Sequence, residues 1–350
     1  MGRFLFWLGL LIVIGFSGGM FYASYQKGQT ASSAYAAEDI SVSPINRCVN
    51  LGGGLEAPNE GDWGYRVRAR DFALIRESGF DTIRVPIKWS AHVDNEAPYT
   101  IAPRILARVR RITEWASEND LNVIINVHHF DEISEDAGAN IPKLYAIWDQ
   151  LIREFGDAPD NVIFEFLNEP HSSMTIDRVD EVNRELLAKV RAHDADRWVI
   201  LGGGEWGTLD GLLKTAPPHD PRAIVTFHYY SPFEFTHQGA PWAHKKIPLG
   251  QTWGTSADRK ALVKDFARAA EWRNQVGMPL LVGEFGVYVK VPHDERAAWS
   301  REVRKASEDQ NFGWCYWDYA TSLGIYDQNS ERFYPGMLEA LIPTDVSQVQ

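Results

Sequence analysis

Two glutamates in this chain stand where carboxylates are costly. Glu169 lies in the run FEFLNEPH (164–171) and Glu284 in PLLVGEF (279–285), each at the end of an apolar, aromatic stretch that reads as a buried strand. A carboxylate at the rim of a core is expensive to desolvate unless something uses it. A pair of them would suit cleavage of a glycosidic bond. One, protonated, donates to the leaving oxygen, while the other, ionised, attacks the anomeric carbon or activates water. That division of labour needs environments that separate the two pKa values. Arg84 could hold one carboxylate ionised, and Asn168 could bind a hydroxyl beside the reacting carbon. His128 and His228 could orient carboxylates or hydroxyls, Tyr230 could hydrogen-bond the nucleophile, and Trp317 offers a flat face for a ring.

The elements that must position these residues follow from the pattern of the chain. Eight β-branched or aromatic runs occur, at 47–52, 81–87, 121–127, 161–167, 197–202, 223–230, 279–285 and 312–319. Amphipathic helical segments separate them at 66–78, 103–119, 142–155, 176–193, 258–276 and 294–310, with only LDGLLKT after the fifth run. Strands alternating with helices imply parallel pairing. Eight such units predict a (β/α)8 TIM barrel in the α/β class, a single domain over 37–350. An open doubly wound sheet is the competing architecture, but NLGGGLE leads into the proline-containing loop APNEGDWG rather than into a glycine-rich helix start. Barrel enzymes build their sites at the C-terminal ends of the strands, which is where the candidate residues collect.

Residues 1–36 form a separate segment. Arg3 is followed by an uncharged stretch to Gln26, and Ala34-Tyr35-Ala36 fits a small-x-small cleavage site, the order of a secretory signal peptide. The alternative is an uncleaved membrane anchor over residues 4–25, which approaches the roughly 20 residues needed to span a bilayer. Both readings put the folded part outside the cytoplasm, either secreted or periplasmic or anchored to the outer face of the cytoplasmic membrane. Membrane association follows only if the segment is retained. Losing Arg3 and Lys27 and no acid would take the net charge from −12 to −14. So acidic a chain repels nucleic acid and suits a neutral partner. Cys48 and Cys315 are the only cysteines. In an oxidising compartment they could pair, although two thiols make no disulfide framework.

FLNEP after the fourth run and VGEFG at the seventh, with TIRVPIKW, NVHHF, FHYY and YWDY in the same order, resemble glycoside hydrolase family 5, which contains many cellulases. The resemblance implies a retaining mechanism with Glu169 as acid/base and Glu284 as nucleophile. It also implies supporting roles for Arg84, His128, Asn168, His228, Tyr230 and Trp317, and needs no cofactor. Two residues before His128 it implies an aspartate, where this chain carries Asn126. The expected substrate is β-1,4-glucan; the same chemistry on β-mannan, xyloglucan, β-1,3-glucan or a bacterial exopolysaccharide is the alternative. A non-catalytic carbohydrate-binding barrel would have lost one carboxylate, and both are present.

Other residues carry less. Glu165 shares strand parity with Glu169 but should lie about 13 Å deeper at roughly 3.3 Å per residue, as a paired core acid. Glu205 reads as a loop acid. His128, His129 and His171 lack metal-site spacing, so no metal is expected. Trp63, Trp206, Trp242 and Trp253 fall in loops and could line a cleft, since indole faces stack on sugar rings. The long connection from Pro232 to Thr255 is a candidate cleft wall.

Overall fold

The computed structural model describes residues 40–243 and 245–343. The signal or anchor segment lies outside these residues. Among the described residues no helix is long and apolar enough to cross a membrane.

Eight parallel strands close into a barrel in sequence order: β1 (Arg47–Asn50), β2 (Thr82–Val85), β3 (Asn122–Asn126), β4 (Val162–Glu165), β5 (Val199–Gly202), β6 (Ala223–His228), β7 (Leu280–Phe285) and β8 (Gly313–Tyr316), with β8 pairing back to β1. Every strand lies inside its predicted run. The principal helices α1 (Ala69–Glu77), α2 (Pro103–Glu118), α4 (Ala137–Phe155), α5 (Ile176–His193), α8 (Ser256–Val276) and α9 (His293–Asp309) match the predicted amphipathic segments. Short helices α3 (Asp131–Glu135), α6 (Leu209–Leu212) and α7 (Phe233–Thr236) sit in the loops above the barrel, and α10 (Met337–Leu341) follows β8. Local chemistry sets the helix bounds. In α5 the buried Val179, Val182, Leu186, Leu187 and Val190 recur at helical spacing and face the sheet. Thr255 and Asp258 cap α8 reciprocally, and Gly277, at φ 70°, ends it in the left-handed conformation.

The barrel interior has two levels, both dictated by strand alternation. The lower is apolar: Cys48, Ile124, Ile163, Ile200, Ile224, Leu281 and Cys315 pack as one buried cluster. Two residues further along, the same strands present Asn50, Asn126, Glu165 and Thr226, with Arg84 beside them on β2, and all of these are buried. An apolar floor thus carries a polar layer at the C-terminal ends. Cys48 and Cys315, opposite one another where β1 meets β8, form a disulfide across the seam of the barrel.

Candidate active site

Arg84 is the hub of the polar layer. Its Nε and Nη2 donate to the two oxygens of Glu165, both at 2.6 Å; Nη1 donates to Glu284 Oε1 and Asn50 Oδ1, and Nη2 to Asn168 Oδ1, each at 2.8 Å. Burial disfavours the guanidinium charge, but the facing Glu165 and Glu284 carboxylates more than restore it. Burial likewise opposes ionisation of Glu165, and Arg84 more than offsets this, holding the carboxyl below its ordinary range. Glu165 is therefore the paired core acid the sequence suggested. It is one guanidinium away from Glu284, however, rather than remote from the site.

Glu284 faces inward against the alternation of its strand. Leu281 and Gly283 share the inward parity, and the β6–β7 and β7–β8 registers shift near Glu284. A side chain on Gly283 would collide with Thr226 Oγ1. The irregularity and the missing side chain together turn Glu284 into the barrel, a common use of bulges beside functional sites. Tyr230 Oη donates to Glu284 Oε2 at 3.0 Å, so both carboxylate oxygens accept a hydrogen bond.

Glu169 stands beyond the end of β4 at φ 46°. His129, Glu205 and Trp206, at the ends of β3 and β5, also have positive φ, between 49° and 59°. Left-handed backbone at non-glycine residues is costly and gathers at functional rims. The Glu169 side chain is 30% exposed against 6% for Glu284, so Glu169 is at the mouth and Glu284 at the base. His228 Nδ1 lies 2.8 Å from Glu169 Oε1 and 3.6 Å from Glu284 Oε2.

The three groups titrate as one unit. Burial raises Glu284 above the ordinary carboxylate range against the pull of His228 and Arg84, with the Glu169 charge adding to the rise. Burial also opposes ionisation of Glu169, but its bond to His228 outweighs this and lowers it. For His228, burial disfavours the imidazolium, and the Glu284 and Glu169 carboxylates raise it. As the side chains stand, a proton shared between His228 and Glu169 favours His228. His228 is already within hydrogen-bond distance of Glu169, so moving the proton needs no rearrangement. Protonating Glu169 removes one of the charges that raise Glu284. Glu169, His228 and Glu284 offer ligand atoms within 4.8 Å of one another, the one such group among the described residues. The Arg84 guanidinium already supplies positive charge to Glu284.

The remaining candidates gather around this centre. Asn168 uses its oxygen on Arg84, which leaves its amide N–H groups as donors. Trp317 is stacked on His128, centroids 5.5 Å apart and rings 9° from parallel, and joins Asp318 through a cis peptide. His129 does not point away from His128, as strand alternation would require, because β3 ends at Asn126; the two rings meet edge to face at 4.5 Å. Trp63, Trp206 and Trp242 are each about half exposed. Trp63 meets His129 edge-on, Trp206 stacks on His171, and Trp242 contacts Tyr288. Trp253 is partly buried, packed against the core beside Phe235 with the Arg259 guanidinium over its ring. Glu205 is a loop acid bound to Lys214. Asn50 joins the site with no motif to mark it, and Asn126 joins it at the position where the resemblance implies an aspartate. Their signal was their place as the last inward-facing residue of a strand.

A family model described as "Cellulase (glycosyl hydrolase family 5)" matches residues 48–322. Endoglucanase H of Acetivibrio thermocellus is 33% identical over 83% of this chain, which spans only about a third (32%) of that relative's length. Thermotoga maritima Cel5A, solved with cellobiose, is 37% identical with a TM-score of 0.84, covering 85% of this chain and 98% of that one. The same enzyme solved with mannotriose gives 37% and 0.83 over the same shares. The Clostridioides difficile cellulose synthase subunit Z is 30% identical with a TM-score of 0.82, covering 85% and 99%.

Proposed function

We infer, from the premise that this chain belongs to glycosyl hydrolase family 5, that it is a retaining endo-β-1,4-glucanase. The observation that carries the mechanism is the spacing of its carboxylates. Oxygens of Glu169 and Glu284 approach within 4.8 Å, which is nearer the roughly 5–5.5 Å of retaining enzymes than the separation of about 6.5–9.5 Å at which inverting ones hold a water.

In this reading the proton held by His228 passes to Glu169, while the hydrogen bonds from Arg84 and Tyr230 keep Glu284 as the carboxylate. Glu284 attacks the anomeric carbon as the bond to the leaving oxygen breaks and Glu169 protonates that oxygen. Glu169, now a base, takes a proton from water. The water oxygen attacks the anomeric carbon and releases Glu284. Asn168 donates to a sugar hydroxyl, Trp317 carries a ring face, and Trp63, Trp206 and Trp242 extend the aromatic surface.

The substrate proposed is β-1,4-glucan, supported by the endoglucanase and cellobiose-bound relatives. β-Mannan is the second reading, because the similar Thermotoga maritima enzyme was also solved with mannotriose. We also propose that the folded chain works outside the cytoplasm, as the disulfide supports, since such bonds persist in oxidising compartments.

The test is product release from carboxymethylcellulose, mixed-linkage β-glucan, glucomannan, galactomannan, xyloglucan and laminarin, with Glu284→Gln as the blank. Cleavage of β-1,4-glucans that the variant abolishes is the expected result. Cleavage of mannan alone would replace the substrate, and an active Glu284→Gln would overturn the nucleophile.

A further inference from the structure

Asn126 has no role in the proposed bond cleavage, yet it is completely buried at the end of β3 with its main chain pinned: Trp89 Nε1 donates to its carbonyl at 2.9 Å. Its amide makes three contacts. The Ile87 N–H donates to Oδ1 at 3.3 Å, and Nδ2 lies 3.3 Å from Glu165 Oε1 and 3.1 Å from His128 Nδ1.

These contacts admit one orientation of the amide. Glu165, ionised against Arg84, can only accept, and the Ile87 N–H can only donate. Reversing the amide would set oxygen against carboxylate and N–H against N–H. The group facing His128 Nδ1 is therefore the Nδ2 amine, a donor, and the imidazole nitrogen opposite it must accept. A neutral imidazole that accepts at one nitrogen carries its proton on the other.

We infer that Asn126 is a positioning residue that locks His128 in the Nε2–H tautomer, so that the ring meets substrate only as a hydrogen-bond donor. Burial, together with the positive charges of His129, Arg84 and His228, holds His128 well below its ordinary pKa. The ring is accordingly neutral, with a single N–H. Among the described residues its only hydrogen bond is the one at Nδ1, while its face lies along Trp317. A sugar hydroxyl that reaches His128 beside that indole must accept, and its own hydrogen stays available to another group. The step from tautomer to substrate rests on the glycanase reading; the tautomer itself does not.

The experiment separates the two. Protein labelled with ¹⁵N at histidine is examined without substrate by long-range ¹H–¹⁵N correlation, and His128→Gln identifies the His128 signals. The expected pattern has a protonated Nε2 and a bare Nδ1, unchanged from about pH 5 to 8, where an ordinary histidine titrates. A proton on Nδ1, or a ring that titrates in that window, overturns the inference, whatever the enzyme cuts. Asn126→Asp supplies an acceptor instead and should move the proton to Nδ1. On the polysaccharide the protein cleaves best, that variant should raise KM roughly tenfold, the size of one lost hydrogen bond at its upper range, with a smaller change in kcat. A moved proton with KM unchanged would overturn the donor role toward substrate. The wild-type spectrum decides the tautomer even if the aspartate variant does not fold.

Discussion

Replacing Arg84 by methionine should reveal how much of the barrel's polar layer depends on one cation. Methionine fills much of the same space but gives up every hydrogen bond to Glu165, Glu284, Asn50 and Asn168. Removing one partner of a buried ion pair costs about 3–5 kcal/mol because the other charge is stranded. With an unfolding entropy of about 2.1 cal/mol/K per residue over roughly 300 residues, that is a fall in Tm of about 5–8 °C. The pH dependence is the sharper signature. In the wild type Arg84 holds Glu165 below the unfolded-chain value of 4.5. That stabilisation is fully present above pH 4.5 and is lost as pH falls through the lowered value. Without Arg84, burial dominates and raises the Glu165 pKa, so folding takes up a proton and the variant loses stability as pH rises above 4.5. The Tm gap should thus be small near pH 4 and widest at neutral pH, measured by calorimetry across that range. A gap that is independent of pH, or below about 2 °C at neutrality against the several degrees expected, would refute the reasoning.

Three further outcomes are expected. Glu169→Gln should lower turnover on polysaccharide by roughly 10²–10⁴-fold. It should spare the first step for an aryl glycoside whose leaving group needs no proton, so that glycosyl-enzyme accumulates and is seen by mass spectrometry; equal losses on both substrates would contradict the acid/base role. Glu56, buried with one oxygen accepting from Gly53 N–H and the other without a partner, is pushed up to about 8 by burial. The folded state then keeps a proton that the unfolded chain loses above pH 4.5, so this residue lowers stability as pH rises from 4.5 to 8, and Glu56→Gln should flatten the Tm profile there. Replacing Cys48 and Cys315 together by alanine should cost about 2–4 kcal/mol, read as a lower denaturant midpoint, and an unchanged midpoint would show that the seam holds without the bond.

The barrel was legible because its signal is repeated: each strand is a short apolar run and each helix an amphipathic one, and all eight strands fall inside the predicted runs. The predicted runs overshot at their ends for a physical reason. Residues 166–167, 229–230 and 317–319 keep the composition of strands, but their backbone leaves the ladder to aim Glu169, Tyr230 and Trp317. Strand alternation marked Glu165 as sharing the inward parity of Glu169. It could not give the inward turn of Glu284, which comes from a register shift, nor the approach of His129 to His128, which begins where β3 stops. Trp253 shows the opposite limit, because an aromatic in a long loop carries no mark of how far it packs on the core. The cysteine pairing needed the closing register of β1 on β8, which neither strand's own sequence contains.

That bond at the seam also bears on how the protein meets proteases. Cys48 and Cys315 are 267 positions apart, so nearly all of the catalytic barrel lies on a covalent ring. A single backbone cut in any loop between them, including the long 231–255 connection, opens the ring without releasing a fragment. The strands on either side of the nick stay tethered through the first and last staves of the barrel. An enzyme exported into a protease-rich medium would gain from such an arrangement: two cuts, rather than one, would be needed before any piece of the active site could diffuse away.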